Sequence, residues 1–150
     1  MTFQTENTCR FIALGIGFFA VIFLVAAARA QGAMDHSVRI NCDVHHGPCS
    51  QKLQETEVLL DISPKPVKAM VDLKFTITLI GKQGASEPFI DLGMPGMKMG
   101  PNRVFLKSQG KGVYSGSGII VRCPNGEKIW DARVTGTDKG PVEFTFDVVY

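Results

Sequence analysis

Apolar and polar residues alternate along most of the chain from residue 56 onward. The alternation is cleanest in 71–79 and 142–148, where every second residue is apolar and its neighbours are charged or hydroxylated. The same period of two recurs in four further segments, which are 56–62, 102–107, 113–121 and 129–134. Strict alternation is typical of strands that have one face in the core and one in solvent, so the pattern predicts antiparallel strands.

Turn-forming residues separate these segments. They are Pro64, Pro66, Gly81, Gly84, Gly110, Gly112, the Asn125-Gly126 pair and the Gly140-Pro141 pair. A further short strand is predicted near 88–92, and no convincing helix periodicity follows residue 30. The predicted fold class is all-β: an immunoglobulin-like antiparallel β-sandwich of about seven strands, preceded by an N-terminal hydrophobic signal or anchor helix.

The N-terminal segment has a different pattern from the rest of the chain. Residues 11–28 carry no charge, Arg10 precedes them, and Ala28-Arg29-Ala30 follows. This is the arrangement of a secretory signal peptide that is cleaved after Ala30. The apolar run is also near the shortest length that spans a bilayer, so an uncleaved membrane anchor is the alternative. Both interpretations place residues 31–150 outside the cytoplasm.

Length and charge define the remaining organisation. Residues 1–30 are predicted to be a signal peptide or membrane anchor, 31–55 a linker segment that contains cysteine and histidine, and 56–150 the sandwich. About 120 residues after the signal are enough for a hydrophobic core. The net charge is only +2 and there is no basic run, so nucleic acid is not an expected partner. Membrane contact is expected only through residues 11–28, if they are not cleaved.

Three cysteines, Cys42, Cys49 and Cys123, follow the predicted cleavage site. An oxidising compartment favours a disulfide between two of them, and the sequence does not select the pair. The third is left as a free thiol, an intermolecular bridge, a metal ligand or a small buried side chain.

His45 and His46 lie between two of these cysteines. Adjacent histidines on a regular strand point to opposite faces, so the two could bind one metal only from an irregular loop. Two interpretations stay open. The segment is either a disulfide-closed loop with solvent-facing histidines or a source of histidine metal ligands.

Met94, Met97 and Met99 lie within six residues, with Pro95 and Gly96 between the first two. Thioether sulfur is a soft ligand that suits Cu(I), so these methionines are candidate copper ligands. The alternative is a flexible apolar plug beneath a loop. Alternating connections place this loop at the same end of the sandwich as the turn after Cys123. A bridge from Cys123 to either other cysteine would bring the histidines to that end.

Four motifs occur in order: Leu-Gly-Met-Pro-Gly-Met-Lys-Met-Gly, Asn-Arg-Val-Phe-Leu, Gly-Val-Tyr-Ser-Gly and Lys-Ile-Trp-Asp-Ala-Arg-Val. Over about 56–149 the chain resembles the YtkA-like domain family, which has FixH-like and efflux-adaptor relatives. The resemblance implies a bacterial β-sandwich in the periplasm, secreted across or anchored in the inner membrane. It also implies a link to copper handling, with Met94, Met97 and Met99 as the soft ligands. The three cysteines are not part of the family motif.

No catalytic arrangement stands out, because the chain has no nucleophile–histidine–acid order and no phosphate-binding loop. Asp91 and Asp131 are isolated and are interpreted as solvated groups at strand ends. We therefore expect a binding protein and not an enzyme. The predicted function is copper binding or copper delivery in the cell envelope, with an envelope or membrane protein as partner. The alternative is a structural or assembly module that binds a protein partner without metal.

Overall fold

A computed structural model describes residues 38–81, 86–137 and 140–150. The predicted signal peptide or anchor, residues 1–30, lies outside the described residues, as does the turn predicted at Gly84. The described part contains strands and turns, and it includes no helix long and apolar enough to cross a membrane. Its strands are β1 (Cys49–Leu53), β2 (Thr56–Ser63), β3 (Asp72–Ile80), β4 (Phe89–Gly93), β5 (Arg103–Phe105), β6 (Lys107–Gly110), β7 (Val113–Ile119), β8 (Ile129–Thr135) and β9 (Val142–Asp147).

The strands form two sheets in which every neighbouring pair is antiparallel. The first sheet has five strands in the order β1-β2-β3-β7-β6, and the second has four in the order β5-β4-β8-β9. The prediction of an all-β fold with two antiparallel sheets is therefore confirmed. Each of the seven predicted strands corresponds to a strand of the structure, within a few residues at either end.

The described residues form nine strands, two more than the predicted number. The segment 102–107 divides at Leu106, so that β5 pairs with β4 in one sheet and β6 pairs with β7 in the other. Val104 and Leu106 are both buried, because the alternation continues through the change of sheet. The other additional strand, β1, is mostly polar and its residues alternate between partly buried and exposed, so it has no apolar alternation to detect.

The core is filled by the residues that the alternation assigns to it. Inward positions of β3 and β9 are buried, and Trp130 of β8 has no exposed surface. Val71 was predicted to share the inner face of β3, but the strand begins one residue later and this side chain is partly exposed. Removing these apolar side chains from water is the main favourable term for folding. The inward residues of the two strands are Leu73, Phe75, Ile77, Leu79, Val142, Phe144 and Phe146.

Part of the predicted linker segment, 31–55, packs against the sandwich. The backbone N–H groups of Asn41 and Cys42 both donate to the carbonyl of Thr145 in β9, at 3.0 and 3.1 Å. Cys42 and Val44 are buried, and a disulfide joins Cys42 to Cys49 at the start of β1. Because β9 and β1 are the edge strands of different sheets, this segment covers one open side of the sandwich.

Replacing a buried and an exposed aromatic residue by alanine should have different effects on the free energy of unfolding. Trp130 is completely buried, whereas 72% of Phe105 is exposed. We expect Trp130→Ala to lower the free energy of unfolding by about 3–5 kcal/mol, and Phe105→Ala by less than about 1 kcal/mol. Urea unfolding followed by circular dichroism measures both, because the first variant loses the only tryptophan. Similar losses in the two variants would contradict the difference in burial.

The disulfide should contribute to stability through the loop it closes. Its two cysteines are 7 residues apart, and the chain-entropy relation gives about 2–2.5 kcal/mol for a loop of this size. We expect a thiol reductant to lower the free energy of unfolding by about this amount. Cys49→Ala should abolish the response to reductant. Cys123→Ala is the control and should keep it, since a lost response would place Cys123 in the bridge.

Candidate functional site

The methionine segment forms a tight turn directly after β4. The backbone N–H of Met97 donates to the carbonyl of Met94 at 3.0 Å, and the two residues form an isolated antiparallel bridge. Gly96, the third residue of the turn, has φ +75°. A type II turn needs a positive φ at this position and favours proline before it, where Pro95 lies. The local sequence Met-Pro-Gly-Met therefore accounts for its own conformation.

The three methionines all line one groove beside the turn. Residues that face each other across an antiparallel bridge project their side chains to the same side, with Cβ atoms about 4.5–5.5 Å apart. Met94 is only 5% exposed and belongs to the core, while Met97 is 40% exposed. Met99 is partly buried and packs against the core. All three line a groove with a volume of about 570 Å³.

The groove continues over the outer face of the second sheet, where four charged side chains form a row. Strand pairing aligns them across β5, β4, β8 and β9 with alternating sign. In order across the sheet they are Arg103, Asp91, Arg133 and Glu143, and all of them line the groove.

These four charges are joined in two ion pairs. The guanidinium of Arg103 binds both oxygens of Asp91, at 2.7 and 3.2 Å, and this contact raises the pKa of Arg103. Arg133 Nη2 lies 3.2 Å from Glu143 Oε2. Since all four side chains are substantially exposed, solvent screens each pair and its contribution to stability is small. The row is therefore a neutral, ordered surface and not a strong source of stability.

Asp131 differs from the other carboxylates of the groove. It lies opposite Gly93 of β4, and its Oδ1 is buried with no hydrogen-bond partner among the described residues. A Cβ placed on Gly93 would lie 3.1 and 3.3 Å from the two carboxylate oxygens of Asp131. The absence of a side chain at residue 93 therefore makes room for this carboxylate beside the methionine turn.

The environment of Asp131 disfavours its charged form. Burial is the largest cause of its raised pKa, and the negative charge of Glu143 adds to it. Arg133 and the backbone amide of Asp131 itself act in the opposite direction. The two other carboxylates that line the groove have arginine partners, and Asp131 has no ion pair within the part of the chain that the structure describes.

The two candidate histidines do not line the methionine groove. The Nδ1 of His45 accepts a hydrogen bond from the backbone N–H of Val67 at 3.1 Å, and its Nε2 lies 3.6 Å from Asp147 Oδ1. The side chain of His46 is 86% exposed, and its Nδ1 donates to Asp43 at 2.7 Å. This hydrogen bond is the main cause of the lowered pKa of Asp43. The histidines thus belong to the disulfide-closed loop.

The three candidate cysteines form one disulfide and one free thiol. Cys42 and Cys49 form the disulfide, and Cys123 is a buried free thiol whose backbone N–H donates to the hydroxyl of Tyr150 at 3.1 Å. Cys123 is therefore not bonded to Cys42 or Cys49. The bridge that would have brought the histidines near the methionines does not form. Among the described residues, no group of three or more His, Cys, Asp or Glu side chains is arranged to hold a metal.

Sequence reasoning did not foresee the place of two acidic residues. Asp91 and Asp131 were both interpreted as solvated groups at strand ends. Asp91 instead holds Arg103, and Asp131 lies partly buried in the groove. The available signal was the glycine before Met94, because a glycine inside a strand often marks the close approach of another group.

The chain has no significant match among protein-family models, curated proteins or solved structures. The resemblance to the YtkA-like domain family consequently stays a prediction from the sequence motifs.

The folded domain should be less stable when Asp131 is ionised than when it is protonated. A raised pKa means that the folded state binds this proton more tightly than the unfolded chain, so stability falls as the pH rises from the ordinary value of 3.8. An asparagine side chain cannot ionise, so we expect Asp131→Asn to raise the free energy of unfolding at pH 7. The gain should shrink toward zero as the pH falls below 3.8.

Urea unfolding of parent and variant across this pH range measures the difference. Asp91→Asn serves as the control, because it removes a carboxylate that has an arginine partner and should bring no gain. A variant at position 131 that is less stable than the parent at pH 7 would contradict the prediction.

Proposed function

We propose that this chain is an extracytoplasmic copper-binding domain of the bacterial cell envelope, with an immunoglobulin-like fold of the YtkA-like type. The observation that carries the proposal is the convergence of Met94, Met97 and Met99 on one groove. Met94 and Met97 are the first and last residues of a turn whose conformation follows from its own residues, and Met99 follows two residues later.

The donor set fits Cu(I). Thioether sulfur is soft and neutral, so a methionine site favours Cu(I) over harder divalent ions such as Zn(II). Met94 and Met99 are anchored in or against the core, whereas Met97 is partly open to solvent. An anchored pair of ligands with one accessible ligand suits a protein that receives and releases a metal ion. The proposed partner is an envelope or membrane protein that exchanges copper with this groove.

Two further observations support the compartment and the binding role. A disulfide is compatible with an oxidising environment outside the cytoplasm. The paired charges beside the methionines hold one another and present no nucleophile next to a base. A binding role without catalysis is accordingly part of the proposal.

A metal-free module that binds a protein partner is the second candidate. The burial of Met94 favours it, because a methionine in the core also serves as an apolar plug. The end of the domain that carries the methionine turn also carries five exposed apolar side chains, on segments that are linked by backbone hydrogen bonds. They are Met70, Val71, Ile119, Val121 and Val149.

Substitution of the three methionines by leucine separates these functions. Leucine nearly conserves the volume of methionine, so each change should cost less than about 1.5 kcal/mol and the fold should survive. We expect the exported protein to bind Cu(I) and the triple variant to lose this binding. Competition with a chromophoric Cu(I) chelator measures it, in ascorbate, which keeps copper reduced and leaves the disulfide intact.

The controls test the other soft or basic ligands. Met70→Leu replaces a methionine outside the groove and should leave Cu(I) affinity unchanged. Cys123→Ala and the double variant His45→Ala/His46→Ala should also bind normally. If the triple leucine variant still binds Cu(I), the copper site would be assigned to the histidine loop instead. A parent protein that binds no copper would favour the metal-free module.

A further inference from the structure

We infer that Asp131 is the anionic member of the methionine site and holds its carboxylate against the bound cation. This inference rests on the proposed copper-binding function and extends it to a residue that carries no sulfur. The ligand class it implies is a soft monovalent cation, Cu(I) or Ag(I), bound by neutral sulfur with one carboxylate beside it.

Charge balance is the first argument. Three thioethers are neutral, so a bound monovalent cation would leave one uncompensated positive charge in a groove that is partly shielded from water. A charge removed from water is costly unless an opposite charge or polar groups compensate it. The carboxylates of Asp91 and Glu143 are already bound to arginines. Asp131 is the groove carboxylate with no such partner within the described residues.

Position is the second argument. Asp131 lies directly opposite Gly93, which precedes Met94 in the chain. Both oxygens of the carboxylate lie over the glycine, and the buried Oδ1 has no donor among the described residues. The carboxylate is thus held beside the start of the methionine turn, and a side chain at residue 93 would require it to shift by a few tenths of an ångström.

Energetics is the third argument. An unpaired, partly buried carboxylate destabilises the metal-free domain, and asparagine or serine would avoid that cost. A cation that binds only the folded state reverses the balance, because its binding free energy is added to folding. The unfavourable environment of Asp131 without metal is therefore what would be expected of a group that is satisfied by a bound cation.

The test compares three full-length exported proteins: the parent, Asp131→Asn and Asp72→Asn. Asp72 is exposed and lies outside the groove, so its replacement removes the same formal charge elsewhere on the domain. Cu(I) and Ag(I) affinities are measured at pH 7 by chelator competition. We expect Asp131→Asn to weaken both affinities by about tenfold or more, which corresponds to about 1.4 kcal/mol. Asp72→Asn should change them by less than about twofold.

Unfolding with and without Ag(I) provides a second measurement that does not depend on the chelator. Ag(I) should raise the midpoint of thermal unfolding of the parent more than that of Asp131→Asn. Equal affinities of the parent and Asp131→Asn, with equal shifts of the unfolding midpoint, would overturn the role of Asp131. That result would leave copper binding by the methionines intact. Failure of the parent to bind either cation would overturn the proposed function and this inference together.

Discussion

The antiparallel register between β4 and β8 is the constraint on which the groove depends. It sets Asp91 opposite Arg133 on the outer face of the second sheet. Two residues further along β4 it sets Gly93 opposite Asp131, while Leu92 between them turns into the core. Since side chains alternate in a strand, a shift of one residue would carry the charged set inward and the apolar set into water. The hydrophobic core thus maintains the arrangement of polar groups on the opposite face.

The methionine turn leads from the buried end of β4 to the solvent-exposed surface. Met94 is fixed by the core directly after β4, and Met97 is returned to the same side by the hydrogen bond that closes the turn. The first residue restricts the position of the site, and the second remains accessible. In the proposed copper site, a soft cation would therefore meet the accessible Met97 first, without any change in the sheets.

Much of the fold could be predicted from the sequence because the relevant signal is local. Trp130 and Phe144 alternate with polar neighbours in their own strands, and both are buried. The division of β5 from β6 at Leu106 could not be predicted, because alternation reports which residues face the core but not which sheet they join. The edge strand β1 was missed for a related reason, since hydrogen bonding to β2 holds it in place and apolar burial contributes little.

The closeness of the three candidate methionines could be predicted from the sequence, but the surroundings of the groove could not. Met94, Met97 and Met99 are close together in sequence and line one groove, and the first two are the ends of a turn of known chemistry. The environment of Asp131 depends on a residue of another strand, and nothing near residue 131 in the sequence indicates that its neighbour is a glycine. The separation of the histidines from the methionines likewise depends on which cysteines are bonded.

The contact between Gly93 and Asp131 also restricts how this sequence can evolve. A methyl group at residue 93 would fall 3.1 Å from a carboxylate oxygen, so alanine there requires the side chain of Asp131 to move by a few tenths of an ångström. The two positions are far apart in the chain, yet the effect of a substitution at one depends on the residue at the other.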